Sequence, residues 1–120
     1  MKVAISAQGP LPTSAMDARF GRAAWFVIAD TETGAMQAVR NEQNLTAAQG
    51  AGIQSAQLVA DQGAEALLTG HCGPKAFRTL RAAGVRVHAG VSGTVSEALE
   101  KLRGGLLEEA QAPDVEGHWV

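Results

Sequence analysis

The stretch Ala64-Glu65-Ala66-Leu67-Leu68-Thr69-Gly70-His71-Cys72-Gly73-Pro74-Lys75 decides the fold class. A short apolar run ends at Thr69. A turn bracketed by Gly70 and Gly73 follows. Pro74 then stands where the first turn of a helix tolerates a missing N–H. From Lys75 to Ala83 the residues Phe77, Leu80 and Ala83 recur at helical spacing, and Gly84 ends the pattern. Val85-Arg86-Val87-His88-Ala89 reads as the next strand. Strand, tight turn, helix and strand in this order imply parallel pairing in an α/β sheet.

The flanks extend the pattern. Lys2 to Ala7 is β-rich and reads as the first strand, and Gln8 to Asp17 is a loop with two prolines and a glycine. Ala24-Trp25-Phe26-Val27-Ile28-Ala29 is a strand, Asp30 to Gly34 a turn, and Ala35 to Arg40 the returning arm of a hairpin. Thr46 to Gln62 reads as a helix that Asn44 or Thr46 can cap. Ile53, Ala56, Val59 and Ala60 share one of its faces, and Gly63 follows it. Thr94-Val95-Ser96-Glu97 is a capping-box pattern, with Val95, Ala98, Leu99 and Leu102 inward and Gly104-Gly105 closing the helix.

Crossovers of one hand put the loops after the first, fourth and fifth strands on one sheet edge, where open α/β sheets bind ligands. Gln8-Gly9-Pro10, the Gly70 to Pro74 turn and Gly90-Val91-Ser92-Gly93 are expected there. The last two open helices, so two sets of helix-start amides are expected to converge.

Composition narrows the function. The chain has 120 residues and one cysteine, so one domain without an internal disulfide is expected. Residues 1–108 form that domain, and 109–120, acidic and containing Pro113, read as a tail. No apolar run approaches a membrane span, and Met1 to Ile5 lack the apolar core of a signal peptide. A cytoplasmic protein is expected. The net charge of −2 argues against a general nucleic-acid binder, and 4% aromatics supply few stacking platforms. The bases are local: Arg19 and Arg22 flank Phe20-Gly21, and Lys75, Arg78 and Arg81 follow the Cys72 turn. The acids gather at Glu97, Glu100, Glu108, Glu109, Asp114 and Glu116. A local positive site on a mildly acidic chain suits a small anion better than a polyanion.

The turn itself carries chemistry. A thiol near a helix N-terminus has a lowered pKa and serves as a nucleophile or soft-metal ligand; otherwise a lone cysteine is a small buried residue. His71 is a candidate ligand or a polar loop residue. One cysteine and three scattered histidines do not supply the spacing of a zinc site. A metal here would arrive in a preformed cluster or be shared between chains. Cys72 to Arg78 also fits C-x5-R, which resembles the phosphate loop of cysteine-dependent phosphatases, although Pro74 removes one amide that such a loop uses. In Asp17-Ala18-Arg19-Phe20-Gly21-Arg22, two arginines can fork around an anion while Phe20 covers an apolar face of it. Alternatively Asp17 pairs with an arginine and Phe20 lies in the core. No phosphate-binding loop of the nucleotide hydrolases is present. Nor does the first strand hold the carboxylate that a two-metal nuclease needs.

Asp17-Ala18-Arg19-Phe20-Gly21-Arg22-Ala23, Gly50-Ala51-Gly52-Ile53, Thr69-Gly70-x-x-Gly73-Pro74-x-Ala76-Phe77 and Ala83-Gly84-Val85 together resemble the dinitrogenase iron–molybdenum cofactor-binding family. The resemblance runs from about residue 1 to 108 and is nearest to a branch found in sulfate-reducing bacteria. It implies a ribonuclease-H-like three-layer α/β fold: a five-stranded, mostly parallel sheet with one antiparallel strand and helices on both faces. It implies binding, carrying or assembling a metal–sulfur cluster rather than catalysis. For that branch the implied ligand is a mixed molybdenum–copper sulfide cluster, held largely without protein–metal bonds. A thiomolybdate is a large, soft anion. Amides, Arg19, Arg22 and Lys75 would offset its charge, while Phe20 and Val91 would meet its sulfides.

The expected site is therefore an anion-binding edge. It comprises Arg19, Phe20, Gly21 and Arg22; Gly70, His71, Cys72, Gly73, Pro74 and Lys75; and Gly90, Val91, Ser92, Gly93 and Thr94. Cys72 and His71 are the candidate metal ligands. The expected partners are the cluster and a protein that gives or receives it, with no nucleic acid and no membrane. The competing readings are a phosphatase using Cys72 and Arg78, and an interaction module using the acidic tail.

Overall fold

The computed structural model describes residues 1–42 and 51–113. Its elements are β1 (Lys2–Ala7), β2 (Trp25–Asp30), β3 (Met36–Arg40), α1 (Ala51–Asp61), β4 (Ala66–Leu68), α2 (Pro74–Ala82), β5 (Arg86–His88) and α3 (Val95–Arg103). The expected helix start and cap at Asn44 and Thr46, the family-like Gly50, and Asp114, Glu116 and Trp119 lie outside the described residues.

The five strands form one mixed sheet in the order β3-β2-β1-β4-β5. β2 runs antiparallel to both β1 and β3, while β4 runs parallel to β1 and β5. The expected hairpin and the expected single reversed strand are both present. The β2–β3 turn closes with Gly34 N–H donating to Asp30 O, while the Asp30 carboxylate accepts from Glu32 and Thr33 N–H. Those amides hold the Asp30 carboxyl below its ordinary pKa.

Alternation along the strands sorts two cores. Ala4, Phe26, Ile28, Leu67 and Val87 face α1 and α2, joining Ala56, Val59, Phe77 and Leu80. Val3, Ile5, Val27, Ala66 and Leu68 face the other way, onto Val95, Ala98 and Leu99 of α3. Helices therefore cover both faces. Two details of the helical faces differ from expectation. Ser55 rather than Ile53 is fully buried on α1, and Ala83 is exposed because α2 has ended by then.

The register Ile5↔Leu68↔His88 brings the C-terminal ends of β1, β4 and β5 to one edge. β3 ends there too, since Arg40 pairs with Trp25 and Trp25 with Ala7. After α3 the chain returns along β5, where Ala110 N–H donates to Val87 O at 2.7 Å and His88 Nδ1 lies 3.0 Å from Glu108 O.

Candidate functional site

The loops at this edge are laced together. Asp17 N–H donates to Ser6 O, and the Ser6 hydroxyl reaches Asp17 O at 2.7 Å and Thr69 Oγ1 at 2.9 Å. The chain then runs beside the β4–α2 turn: His71 N–H donates to Ala18 O (2.7 Å) and Phe20 N–H to His71 O (3.2 Å). Gly70 makes this approach possible, because a Cβ there would lie 2.7 Å from Ala18 O. The third expected loop joins from behind, with Gly90 N–H donating to Gly70 O and Met16 N–H to Gly93 O.

Against this framework lies a cavity of about 340 Å³, lined by Phe20, Gly21, Gly52, Gly73, Pro74, Lys75 and Ala76. Gly21 rests on α1: a Cβ on Gly21 would meet Gly52 N and Cα at 3.0 Å. The other wall is the start of α2. Gly73 is its extended N-cap residue, Pro74 opens the helix, and no side chain caps it. The helix closes its first bond from Phe77 N–H to Gly73 O, so the Lys75 and Ala76 amides precede that bond. Such amides and the helix dipole favour an anion. A second cavity of about 250 Å³, between Lys2, Asp30, Met36 and Gln62, lies at the opposite sheet edge, away from these loops.

Phe20, Gly21, Gly73, Pro74 and Lys75 of the expected set line the first cavity. Gly70 to Cys72 form the strip behind them. Arg19 is exposed, with Nε 3.5 Å from the buried Asp17 carboxylate, and Arg22 is exposed beside Gly21. Phe20 is only 2% exposed and stacks at a tilt on Phe26, with ring centroids 5.3 Å apart. The Asp17 pairing and the core position of Phe20 thus both hold, and Phe20 closes the cavity floor rather than reaching out.

The convergence of helix starts differs from the expectation. α3 lies on the other face of the sheet, and Gly90 to Thr94 do not line the cavity. Its N-terminus is already closed. Thr94 N–H donates to Glu97 Oε1 at 2.8 Å, and Glu97 N–H donates to Thr94 Oγ1 at 3.1 Å. The Thr94 amide, then its hydroxyl, hold the Glu97 carboxyl below its ordinary pKa. Val91 is buried in the α3 core and has little surface for a ligand. The helix that joins α2 at the cavity is α1, through Gly52. Gly52 and Ala76 were legible only as family-like positions, because neither carries a functional group.

Cys72 is 1% exposed and belongs to the core under α2, with Phe20, Phe77 and Val85. His71 is half-buried. No group of three His, Cys, Asp or Glu able to hold a metal ion exists among the described residues. The geometry also disfavours the C-x5-R reading. Pro74 to Arg78 are helical, so they do not wrap as an anion loop, and Arg78 is exposed while the thiol is buried. Arg81 lies over the Phe77 ring at 5.4 Å and reaches Ala110 O at 3.4 Å. No helix among the described residues is long and apolar enough to cross a membrane.

Two solved structures share this architecture, and a further relative is similar in sequence. The apo orange protein of Desulfovibrio gigas superposes with a TM-score of 0.93 at 43% identity, over 95% of this chain and 96% of that one. A putative NifB protein from Thermotoga superposes with a TM-score of 0.83 at 39% identity, over 97% and 98% of the two chains. An uncharacterized protein of Methanocaldococcus jannaschii is 27% identical over 111 residues, 91% of each chain. Residues 1–105 match the family described as dinitrogenase iron-molybdenum cofactor, and the chain belongs to that family.

Proposed function

We propose that this protein binds a preformed metal–sulfur cluster, as carrier or assembly site, and that the cluster is a mixed molybdenum–copper sulfide. The observation that carries the reading is the uncapped start of α2 opening on a 340 Å³ cavity beside Lys75. The donor set fits such cargo and not a bare ion. A bare ion needs several His, Cys or carboxylate ligands, and no group of three stands together among the described residues. A thiometallate brings its own sulfide ligands and needs an anion cradle: amides, Lys75 and the nearby Arg22, with Phe20 beneath. Family membership and the likeness to the orange protein support a cofactor-binding role over catalysis.

On this reading Gly70 to Pro74 form one wall, Arg19 to Arg22 the other, and Cys72 supports the wall from inside the core. Residues 1–108 act as the cluster domain, of ribonuclease-H-like arrangement, and 109–120 as an acidic tail. The protein works in the cytoplasm and exchanges its cargo with another protein. Reconstitution with tetrathiomolybdate and copper tests the proposal. Wild type should co-elute with molybdenum and copper and show protein-bound charge-transfer bands. Cys72→Ser should keep them, and Arg22→Ala should weaken them. Absence of bands on the wild type would sink the proposal.

A further inference from the structure

Two fully buried polar side chains at the same edge play no part in the anion cradle itself. Asn41, the first residue after β3, is 1% exposed, and Ser55 on α1 is 0% exposed. The Asn41 side-chain amide donates to Ala23 O at 2.9 Å and to Ser55 Oγ at 3.0 Å. The Ser55 hydroxyl lies 3.3 Å from both Gly21 O and Asn41 Oδ1. The Asn41 backbone N–H donates to Ala24 O at 2.9 Å. Three carbonyls of the segment leaving the arginine loop, those of Gly21, Ala23 and Ala24, therefore end on these two residues.

Burying two polar side chains in an otherwise apolar core is costly unless each hydrogen bond is made. The place where that cost falls is informative. Ser55 stands one helical turn after Gly52, and Gly52 is the residue on which Gly21 rests. Gly21 and Gly52 both line the cavity. The hydroxyl thus ties the loop to α1 beside the Gly21–Gly52 contact. An apolar residue at position 55 would fill the space and leave the Gly21 carbonyl unheld.

We infer that Asn41 and Ser55 are positioning residues: they fix the Arg19–Arg22 loop against α1 and so set the shape of the anion cradle. The inference deepens the cluster-binding proposal and rests on it for its functional half. Neither residue touches the ligand. Their effect passes through the Gly21 and Ala23 carbonyls to the loop that carries Phe20 and Arg22.

The test uses the full chain with Ser55→Ala and Asn41→Asp. Val3→Ala, in the core under α3, serves as the control for lost stability. Amide hydrogen exchange on the ligand-free proteins reads the loop directly. Faster exchange at Phe20 to Ala24 in Ser55→Ala and Asn41→Asp, but not in Val3→Ala, supports the inference. Titration with tetrathiomolybdate and copper reads the consequence. Ser55→Ala should bind about tenfold more weakly, as loss of a buried supporting hydrogen bond predicts, while Val3→Ala binds like wild type. Wild-type exchange in the loop of Ser55→Ala, or equal weakening in Val3→Ala, overturns the inference. If the wild type itself binds no cluster, the proposed function falls, and the exchange result alone decides whether the two residues position the loop.

Discussion

The starts of α2 and α3 are built from nearly the same parts. Each follows a parallel strand and a glycine-containing turn. One is open and the other is shut. At α3, Thr94 and Glu97 bond the first-turn amides reciprocally, and the Glu97 carboxylate occupies the position an external anion would take. At α2, Gly73 offers no side chain, Pro74 offers no N–H, and Lys75 adds a positive charge beside a cavity. A helix start that supplies its own carboxylate gains stability and loses a ligand site. A start without a side-chain cap forgoes that stability and keeps the site.

The largest expected effect comes from making α2 resemble α3. Gly73→Asp places a carboxylate where a Cβ meets nothing within 4 Å, in the extended conformation an N-cap requires. Two unit charges about 4 Å apart near a surface repel by roughly 4 kcal/mol, so cluster binding should fall at least about a hundredfold. Thermal unfolding should show the free variant no less stable than wild type. A variant that still binds cluster would break the comparison.

Cys72→Ser probes what lies beneath the open start. A hydroxyl in that apolar position should cost about 1–2 kcal/mol of stability by denaturant unfolding. Metal content after reconstitution should stay within about threefold of wild type, less than the tenfold that about 1.4 kcal/mol would give, since the thiol lies in the core with Phe20, Phe77 and Val85 and not on the cavity lining. Loss of copper alone from this variant would make the thiol a ligand.

Thr94→Ala opens the closed start and should cost about 1 kcal/mol by denaturant unfolding. Cluster binding should not change, because α3 stands on the opposite face. The smallest effect is the pH dependence. The Glu97 carboxyl is held below the ordinary glutamate value of 4.5, chiefly because the Thr94 amide bonds it. Its contribution is present in full above 4.5 and is lost as pH falls through the lower folded value. Urea midpoints measured between pH 6 and pH 3 should fall less steeply in Glu97→Gln than in wild type. Identical slopes would show that the carboxylate adds nothing to the cap.

Much of this contrast was legible in the sequence. Thr94-x-x-Glu97 announces a capping box, and Gly73-Pro74 announces a helix start without one. The strands were legible because Phe26 to Ala29 and Ala66 to Leu68 are apolar runs bounded by turn residues. The partner of α2 at the cavity was not. Helix periodicity shows that a helix has a buried face but not which side of the sheet receives it, so the sequence points to the start of α3 beside that of α2, whereas Gly52 of α1 lines the cavity there. Cys72 is reactive in type, yet it is buried in a cluster with Phe20 and Val85, which are distant in sequence. Asn41 and Ser55 gave no signal. An asparagine after a strand and a serine in a helix look like surface residues until the fold closes over them.

The most direct test of the central claim is a residue-resolved map of the amides on adding tetrathiomolybdate and copper, by nitrogen–proton NMR. The account predicts the largest shifts at Gly21, Gly52, Gly73, Lys75 and Ala76, with Thr94 to Glu97 unmoved. Shifts centred on Gly90 to Glu97, or spread evenly over the chain, would contradict it.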